Sequence, residues 1–533
     1  TVSGSWWLEP SAFRPDGPTE SIGGAAQFLS GFGVHHGGLS PEEKVEHEIR
    51  TAKKLGIDGF HFYYQSFPVG PQGEVQARKN NRMIRLFFRV CEEMDIDFHL
   101  TLCLSHPRSN DSEKEKVLAW ARHIGNLWKD TADSPCWPRT PDGRVVFFTW
   151  ATPGISDGVR NSGDLFRQPE IEKNLRKMAE GYEKIMRILG IDAAFVYHLL
   201  SRQHARHARR GVDGENLDGF YRRYVNAVYD YFPAATGFAD HVYPEADRDW
   251  EWTATLARER GRDYGQAVMT DFYDSKVFLK TNGEMLHFIR QIQEVGVDDV
   301  IRYYQPLAAS RTFRAHLHRV AEWNPSFVSY VTWNDYPEGH HLAPEANHNF
   351  GFSILLKHAL REWRSRPADI RRDVAIVFYR KYPVEATPRP FDVELNVYKH
   401  NFPPELVDEY RAREDVLDVV TLLTAPAEVW VNGRRRGTAG AGQHTVTIPL
   451  ETGPVHVELK RGGETVLTLD PPEWITDRPY RTDRLIYSYS SEFERIHREI
   501  FGADAEPVIV DEYAEGEDGI PNWRQRYDFR RER

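Results

Sequence analysis

Residues 40–64, SPEEKVEHEIRTAKKLGIDGFHFYY, contain the local signals of one helix followed by one strand. Ser40 is a typical N-cap, Pro41 suits the first helical position, and Glu43 completes a capping box. Apolar residues then recur at helical spacing up to Gly56, which suits the C-terminal stop. The apolar and aromatic run that follows predicts a buried strand. The stretch therefore predicts one helix–strand unit of an α/β fold.

The same alternation of strand-like and helix-like runs continues far beyond this unit. Strands are predicted at residues 26–32, 57–64, 98–105, 145–150, 193–198, 236–241, 267–273 and 326–335. Such alternation is typical of a parallel sheet, and eight units fit a (β/α)8 TIM barrel with long loops, at residues 1–369. A ninth strand-like run at residues 300–304 is assigned to an insertion in this barrel.

After residue 369 the pattern changes to short strands separated by turn residues. Asn432-Gly433 predicts a tight hairpin, because both central positions of a type I′ turn need positive φ, and Arg461-Gly462-Gly463 is a similar signal. We therefore predict a C-terminal β-sandwich domain at residues 370–470. A tail with one short helix is expected at residues 471–533.

The composition narrows the class of function. A chain of 533 residues is too long for one hydrophobic core, so more than one domain is expected. Its formal net charge of -11 disfavours a nucleic-acid partner and fits a neutral substrate better. The sequence contains no apolar run of about 18 residues, so no membrane span is predicted.

Two further features of composition concern redox state and location. The three cysteines follow no ligand spacing and cannot all pair, so they support neither a disulfide framework nor a zinc site. The sequence starts at Thr1 without a charged, then apolar, leader. We expect a secreted protein if a signal peptide was removed before Thr1, and a cytoplasmic one otherwise.

Residues 331–341, VTWNDYPEGHH, carry two carboxylates three residues apart, Asp335 and Glu338. They are predicted to follow the last barrel strand, where Pro337 and Gly339 indicate a turn. A solvated polar loop is the alternative interpretation of such a pair. Their neighbours favour a sugar site, because rings and neutral hydrogen-bonding groups suit the faces and hydroxyls of a sugar. We assign substrate contacts to Trp333, Asn334, Tyr336, His340 and His341.

Active sites of such barrels lie at the C-terminal ends of the strands, so the residues at each strand exit are further candidates. Any single one of them is equally explained by loop capping or by a core hydrogen bond. For Trp150 and Trp333, stacking on a sugar ring and packing in the barrel core are both open. Together the exits predict a polar, aromatic bowl formed by Tyr63, Gln65, His106, Trp150, His198, Asp240, His241, Asp271 and Tyr273.

Other chemistries are less well supported. A metal site made of His340, His341 and Asp335 is disfavoured, since adjacent histidines point apart and no second pair at ligand spacing accompanies them. The sequence has neither a glycine-rich phosphate loop before a helix nor a Gly-x-Ser-x-Gly elbow. No metal and no cofactor are expected.

Residues 331–341, together with residues 56–60 and 415–424, resemble glycoside hydrolase family 71, the α-1,3-glucanases or mutanases. The resemblance implies a (β/α)8 barrel carrying a β-sandwich. It also implies that Asp335 and Glu338 are the catalytic pair. The Trp-Asn-Asp-Tyr-Gly-Glu-Ser-His-Tyr element of the family falls on Trp333, Asn334, Asp335, Tyr336, Pro337, Glu338, Gly339, His340 and His341. Family 99 endo-α-mannosidases have a similar Trp-Asn-Glu-x-x-Glu element.

The chain also departs from the family 71 pattern. Pro337, Gly339 and His341 replace the usual Gly, Ser and Tyr, and Ser105-His106 ends a strand where the family has Ser-Phe-Asp. These departures imply a retained catalytic pair with altered subsites. The class of glycoside hydrolase is therefore better supported than the α-1,3-glucan substrate.

The resemblance and the residue types together suggest a mechanism. Glu338 is the expected general acid and Asp335 the expected general base of an inverting hydrolase. A strand end at Asp335 followed by a turn to Glu338 suits the separation of about 6.5–9.5 Å that admits a water molecule. A retaining enzyme, either a hydrolase of the endo-α-mannosidase kind or a transglycosylase, is the first alternative. A non-catalytic glycan-binding protein is the second.

Overall fold

The computed structural model describes residues 30–65, 70–105, 112–150, 171–200, 217–237, 244–279, 285–286, 300–365, 370–386, 394–397, 406–477 and 484–507. Its helices are α1 (Gly31–His35), α2 (Pro41–Lys54), α3 (Pro71–Glu93), α4 (Glu113–Trp128), α5 (Ile171–Leu189), α6 (Leu217–Tyr231), α7 (Pro244–Glu259), α8 (Arg311–Trp323), α9 (Gly351–Trp363), α10 (Val407–Arg411) and α11 (Phe493–Phe501). Within these residues no helix combines the length and the apolar character needed to cross a bilayer.

The strands are numbered along the chain. The first ten are β1 (Gly59–Gln65), β2 (His99–Ser105), β3 (Val145–Trp150), β4 (Ala193–His198), β5 (Ala234–Thr236), β6 (Asp263–Val268), β7 (Tyr273–Leu279), β8 (Met285–Leu286), β9 (Val300–Tyr304) and β10 (Phe327–Tyr330). The others are β11 (Val374–Arg380), β12 (Glu394–Val397), β13 (Val416–Leu423), β14 (Ala427–Val431), β15 (Arg434–Ala439), β16 (Gly442–Pro449), β17 (Val457–Arg461), β18 (Glu464–Leu469) and β19 (Ile486–Ser490).

Seven parallel strands form the sheet that carries the N-terminal part, in the order β1-β2-β3-β4-β5-β6-β10. The ring of Phe327 in β10 lies 5.6 Å from that of Phe148 in β3, which shows that the sheet is curled. Gly265 in β6 makes room for this ring, since a Cβ atom there would lie 2.2 Å from Phe327. The predicted α/β fold with a parallel sheet is confirmed, as a curled sheet of seven strands in the described residues.

Local predictions hold where the signals are short-range. Ser40 accepts a hydrogen bond from the backbone N–H of Glu43, whose carboxylate accepts one from the backbone of Ser40, so the predicted capping box opens α2. The turn between β14 and β15 has φ angles of +48° at Asn432 and +72° at Gly433, as the predicted hairpin requires.

Two predicted barrel strands are wrong in part. Of residues 26–32, the first four lie outside the described residues, and Gly31 begins helix α1 instead of continuing a strand. The Ser30 side chain accepts a hydrogen bond from the N–H of Gly33, so it caps this helix. The run at 267–273 is split, since β6 ends at Val268 and Tyr273 begins β7. Asp271 between them accepts hydrogen bonds from the N–H groups of Phe272 and Ile486, which turns the chain out of the sheet.

Two further runs are shorter than predicted. The strand expected at residues 236–241 is represented by β5, which ends at Thr236, and residues 238–241 lie outside the described part of the chain. The strand expected at residues 326–335 ends at Tyr330. The ninth strand-like run is β9, which pairs with β7 and β12 in a separate sheet of order β12-β9-β7-β8.

Two antiparallel sheets make up most of the C-terminal part, in the orders β16-β13-β11-β19 and β15-β14-β17-β18. Every residue of β11 is buried, because both faces of its sheet are covered. Side chains alternate between the faces of a strand. Val377 therefore packs with Val429 of the other sheet, whereas Ile376 packs in a cluster with Phe313 of α8 and Leu355 of α9. Strand β19, from the segment predicted as a tail, is an edge of the first sheet.

Candidate active site

The motif loop, residues 331–343, follows β10 and is closed by backbone hydrogen bonds. The N–H of Thr332 donates to the carbonyl of His340 at 2.9 Å, and that of Ala343 donates to the carbonyl of Trp333 at 2.8 Å. Gly339 has a φ of +68°, and a Cβ atom there would lie 2.9 Å from the backbone nitrogen of Tyr273. Both requirements favour glycine at this position. The loop is thus held against the start of β7.

A single 3₁₀ turn, Tyr336–Glu338, brings the two motif carboxylates together. The N–H of Glu338 donates to the carbonyl of Asp335 at 3.2 Å, and the N–H of Asp335 donates to the hydroxyl of Thr332 at 2.9 Å. Side chains three residues apart eclipse in a 3₁₀ helix. One carboxylate oxygen of Asp335 and one of Glu338 consequently lie within 4.8 Å of each other. The expected strand end at Asp335 is wrong, and this turn explains why the carboxylates are closer than an extended chain would hold them.

His340 completes this carboxylate group. Its Nε2 lies 3.0 Å from a carboxylate oxygen of Glu338 and 3.9 Å from one of Asp335. The Asp335 and Glu338 side chains are 41% and 31% exposed, whereas that of His340 is 4% exposed. The ring of Phe272 lies parallel to the imidazole at 6.1 Å. Both carboxylates are therefore partly exposed to solvent, and the buried imidazole of His340 contacts the carboxylate of Glu338.

An aromatic platform, Tyr63, Trp150 and His198, lies at the C-terminal ends of β1, β3 and β4. The rings of Trp150 and His198 stack at 4.2 Å with an interplanar angle of 8°. The ring of Tyr63 meets that of Trp150 edge-on at 6.1 Å, and Tyr63 is 47% exposed. The structure thus brings together three of the residues predicted to line the bowl, at the sheet edge where such sites form.

Trp333 is directed into the protein. Its indole N–H donates to the carboxylate of Glu48 in α2 at 2.9 Å, and its ring lies 5.4 Å from that of Phe60 and 6.3 Å from that of Phe32. Glu48 is itself buried. These contacts support the core interpretation of Trp333, and Glu48 is a partner that the sequence reasoning did not identify.

Six predicted substrate contacts are buried: Tyr336, His340, His341, His198, Asp271 and Tyr273. The hydroxyl of Tyr336 accepts a hydrogen bond from that of Ser30 at 3.1 Å. Burial alone would raise the pKa of Asp271, but Arg380, His348 and the N–H of Ile486 together hold it below its ordinary value. These side chains expose little surface in the structure, and their contacts with a substrate stay predictions.

The remaining predicted residues divide into two groups. Asn334 is exposed beside the carboxylates, as expected for a substrate contact. Gln65 ends β1, but its side chain is outside the described part of the structure. His106, Asp240 and His241 also lie outside the described residues.

The adjacent histidines of the motif loop belong to different groups of side chains. His340 faces Glu338, whereas Nε2 of His341 lies 3.4 Å from a carboxylate oxygen of Glu345, which is 3.7 Å from Nδ1 of His348. Burial lowers the pKa of His341 to about 4, although Glu345 acts in the opposite direction. We name His341, Glu345 and His348 the buried histidine cluster. The sequence reasoning missed it, although the spacing His-x₃-Glu-x₂-His is a recognisable signal.

Two open cavities of about 750 and 760 Å³ share Lys357 and Arg361 in their lining. The first also touches Asp58 and His99, which lie at the N-terminal ends of β1 and β2. Parallel barrels place their active sites at the opposite end of the strands. We therefore identify the motif loop and the aromatic platform, and not these cavities, as the candidate active site.

Comparison with known proteins agrees with the chemistry of the motif loop. Residues 308–489 match the model of glycosyl hydrolase family 71, and this range contains both carboxylates. The match confirms the predicted resemblance and the predicted enzyme class, a glycoside hydrolase. Comparison with curated proteins gives no match.

Solved structures with partial similarity include further glycosidases. The GH99 endo-α-mannosidase from Bacteroides thetaiotaomicron is similar over 64% of this chain and 85% of its own, with 13% identity and a TM-score of 0.39. A glycosyl hydrolase family 2 member from Bacteroides cellulosilyticus is similar over 80% of this chain and 43% of its own, with 9% identity and a TM-score of 0.37. These values are too low to support an inference about the fold or activity of this chain.

Proposed function

We propose that this protein hydrolyses glycosidic bonds in a neutral, α-linked glycan, with Asp335 and Glu338 as the two reacting carboxyl groups. The observation that carries the proposal is the 3₁₀ turn that places both carboxylates side by side, open to solvent, in a loop at the C-terminal end of β10. The family 71 match over the same residues supports this chemistry. An α-1,3-glucan is the first substrate to test, because of the resemblance to that family.

Glu338 is the proposed general acid. A glycosidic oxygen leaves poorly unless it is protonated, so one carboxyl group must carry a proton to the bond. Glu338 is the less exposed of the two carboxyls, and its contact with Nε2 of His340 at 3.0 Å fixes the position of one oxygen. We therefore assign the transfer of the proton to the leaving oxygen to Glu338.

We propose retention of configuration, in place of the inversion first expected, because the two carboxylates approach each other closely. An inverting enzyme holds its carboxyl groups about 6.5–9.5 Å apart to admit water, and a retaining one holds them about 5–5.5 Å apart. The nearest oxygens of Asp335 and Glu338 lie within 4.8 Å, so the carboxyl groups themselves are somewhat further apart, which is compatible with the shorter separation. Asp335 then acts directly on the sugar, either by attacking the anomeric carbon or by assisting the 2-hydroxyl group. Glu338 protonates the leaving oxygen first and takes a proton from the attacking water afterwards.

Substrate rings are proposed to stack on the aromatic platform. Tyr63 exposes about half of its surface, and one face of the Trp150 ring stacks on His198. Aromatic faces bind the apolar face of a pyranose, while Asn334 beside the carboxylates offers hydrogen bonds to hydroxyl groups.

The proposal is tested by measuring the release of reducing ends from α-1,3-glucan, other α-glucans and α-mannose oligosaccharides. The first-formed anomer is followed by NMR. We expect hydrolysis of at least one α-linked substrate, with a retained first anomer, by the wild-type protein and none by Glu338→Gln on the same polymer. Inversion would contradict the retaining scheme. Glycan binding in calorimetry without release of any reducing end would instead support a non-catalytic binding protein.

A further inference from the structure

The buried histidine cluster has the donor set of a transition-metal site. His341, Glu345 and His348 are each at most 3% exposed, and one ligand atom from each lies within 4.8 Å of the others. Two imidazoles and one carboxylate suit Zn²⁺ and similar divalent cations, whereas Ca²⁺ and Mg²⁺ prefer oxygen donors alone.

The distances between these donor atoms fit ligands around an ion. Nε2 of His341 and Nδ1 of His348 lie 3.4 and 3.7 Å from the same oxygen of Glu345. Both distances are longer than the value of about 2.7–3.2 Å that is typical of a hydrogen bond between nitrogen and oxygen. Two ligands that each lie about 2.0–2.1 Å from a tetrahedral ion are about 3.3–3.4 Å apart. The distance from His341 to Glu345 matches this value, that from His348 to Glu345 is slightly longer, and all three donor atoms lie within 4.8 Å of one another.

His348 provides a second, independent observation. Its side chain is 4% exposed, and neither ring nitrogen makes a hydrogen bond within the described part of the chain. Nδ1 faces Glu345, while Nε2 lies 3.6 Å from a carboxylate oxygen of Asp271. A ligating histidine commonly directs its second nitrogen to a carboxylate, which orients the ring and raises its basicity. Asp271 occupies that position here.

The negative charge of buried Glu345 also favours a bound cation. A buried carboxylate is unfavourable unless a positive charge or several donors compensate it. One oxygen of Glu345 accepts from the N–H of Asn347 at 2.6 Å, and the other from the N–H of His348. Among the described residues, no lysine or arginine forms an ion pair with Glu345. A divalent cation would supply the missing positive charge.

We propose that His341, Glu345 and His348 bind one divalent cation of the Zn²⁺ class. The site is enclosed, so the ion is structural: it joins the motif loop at His341 to the segment that leads into α9. His341 is adjacent to His340, which contacts Glu338. The ion thereby helps to position the carboxylate group without touching it. This proposal does not depend on the proposed hydrolytic activity.

The metal content of the full chain tests the site directly. The protein is purified without a histidine tag, its zinc is measured by mass spectrometry, and chelator-treated protein is titrated with Co²⁺ while visible absorption is recorded. We expect one equivalent of metal per chain, an absorption band of tetrahedral intensity and a higher melting temperature with the ion bound. Glu345→Gln should lower the affinity for Co²⁺ at least tenfold, because it replaces an anionic ligand by an amide.

Two variants serve as controls. Glu338→Gln removes a carboxylate from the other three-residue group, Asp335, Glu338 and His340, and should leave the metal content unchanged. His316→Gln removes an equally buried histidine that belongs to neither group and should also keep the metal. If Glu345→Gln does not fold, the stoichiometry and spectrum of the wild-type protein decide alone. Wild-type protein that binds neither Zn²⁺ nor Co²⁺ stoichiometrically would overturn the proposal, as would loss of the metal in Glu338→Gln but not in Glu345→Gln.

Discussion

The indole nitrogen of Trp333 donates a hydrogen bond of 2.9 Å to the carboxylate of Glu48, a residue 285 positions earlier in the chain. This bond ties the motif loop to helix α2. Trp333 begins the Trp-Asn-Asp-Tyr-Pro-Glu element, yet its ring packs beside Phe60 and Phe32 and not toward solvent. The tryptophan of the motif thus anchors the loop that carries the two carboxylates.

The two tryptophans are expected to respond differently to the same substitution. Trp333→Phe removes the hydrogen bond to buried Glu48, and we expect a loss of about 1–3 kcal/mol in the free energy of unfolding. The KM of the folded fraction should change little. Trp150→Phe should raise KM with little change in stability, because Trp150 lies on the aromatic platform. Urea unfolding and steady-state kinetics of both variants measure this contrast. The reverse pattern would assign Trp333 to the substrate site and Trp150 to the core.

Asp335→Asn and Glu338→Gln should each remove nearly all activity while preserving the fold. Each substitution keeps the shape of the side chain. Glu338→Gln removes proton transfer, which is typically worth about 10²–10⁴ in rate, and Asp335→Asn removes the carboxylate that acts on the sugar. Glu338→Gln should lose least on substrates with a good leaving group, whose departure needs no proton. Asp335→Asn should be equally impaired on both kinds of substrate. Rates on matched aryl and alkyl glycosides test the assignment, and equal losses for Glu338→Gln on both would count against Glu338 as the acid.

Arg380 is expected to contribute strongly to stability. Its guanidinium is 1% exposed and lies 3.5 Å from Asp271 and 3.2 Å from Glu414, both fully buried. Arg380→Met leaves both carboxylates without this charge, and loss of one partner of a buried ion pair costs about 3–5 kcal/mol.

Arg461→Met is the matched control, because Arg461 pairs with Asp373 at 2.6 Å but is 27% exposed. Pairs open to solvent contribute about 0–1 kcal/mol. Urea unfolding of the two variants should therefore give a much larger loss for Arg380→Met. Similar losses in both would show that burial does not set the strength of the Arg380 contacts.

The free energy of unfolding is expected to decrease at acidic pH, because some buried histidines stay neutral in the folded protein but are protonated in the unfolded chain. Burial, assisted by Arg319, lowers the pKa of His316 to about 3, and burial lowers that of His61 to about 4. An unfolded histidine has a pKa of about 6.5, so below that pH the unfolded chain binds protons that the folded protein does not. The stability supplied by neutral His316 is thus complete above pH 6.5 and is lost progressively as the pH falls toward 3.

His316→Gln should reduce this dependence. One group can contribute at most about 1.4 kcal/mol per pH unit within that window. Free energies of unfolding measured between pH 7 and pH 4.5 should therefore fall less steeply in the variant than in the wild type. Parallel curves would show that His316 takes up its proton without unfolding.

Much of the local structure followed from neighbouring residues. Ser40 and Glu43 form a capping box, and Asn432-Gly433 forms a two-residue hairpin, because both signals act within four residues and need no distant partner. The two carboxylates were predicted by type and spacing in the same way. Because Asp335 and Glu338 are three residues apart, their side chains lie on the same side of a 3₁₀ turn once that turn forms.

Only the tertiary structure decided which polar side chains face solvent. Asp271 is as polar as Asn334, yet it is enclosed. Arg380 and His348 lie beside its carboxylate and come from distant parts of the chain. The exit of the chain from the sheet after Val268 likewise depends on the Ile486 N–H, which bonds Asp271 from 215 residues away. Chemistry and local geometry are encoded by residues close in sequence, whereas burial depends on which distant segments pack against them, and no local pattern contains that information.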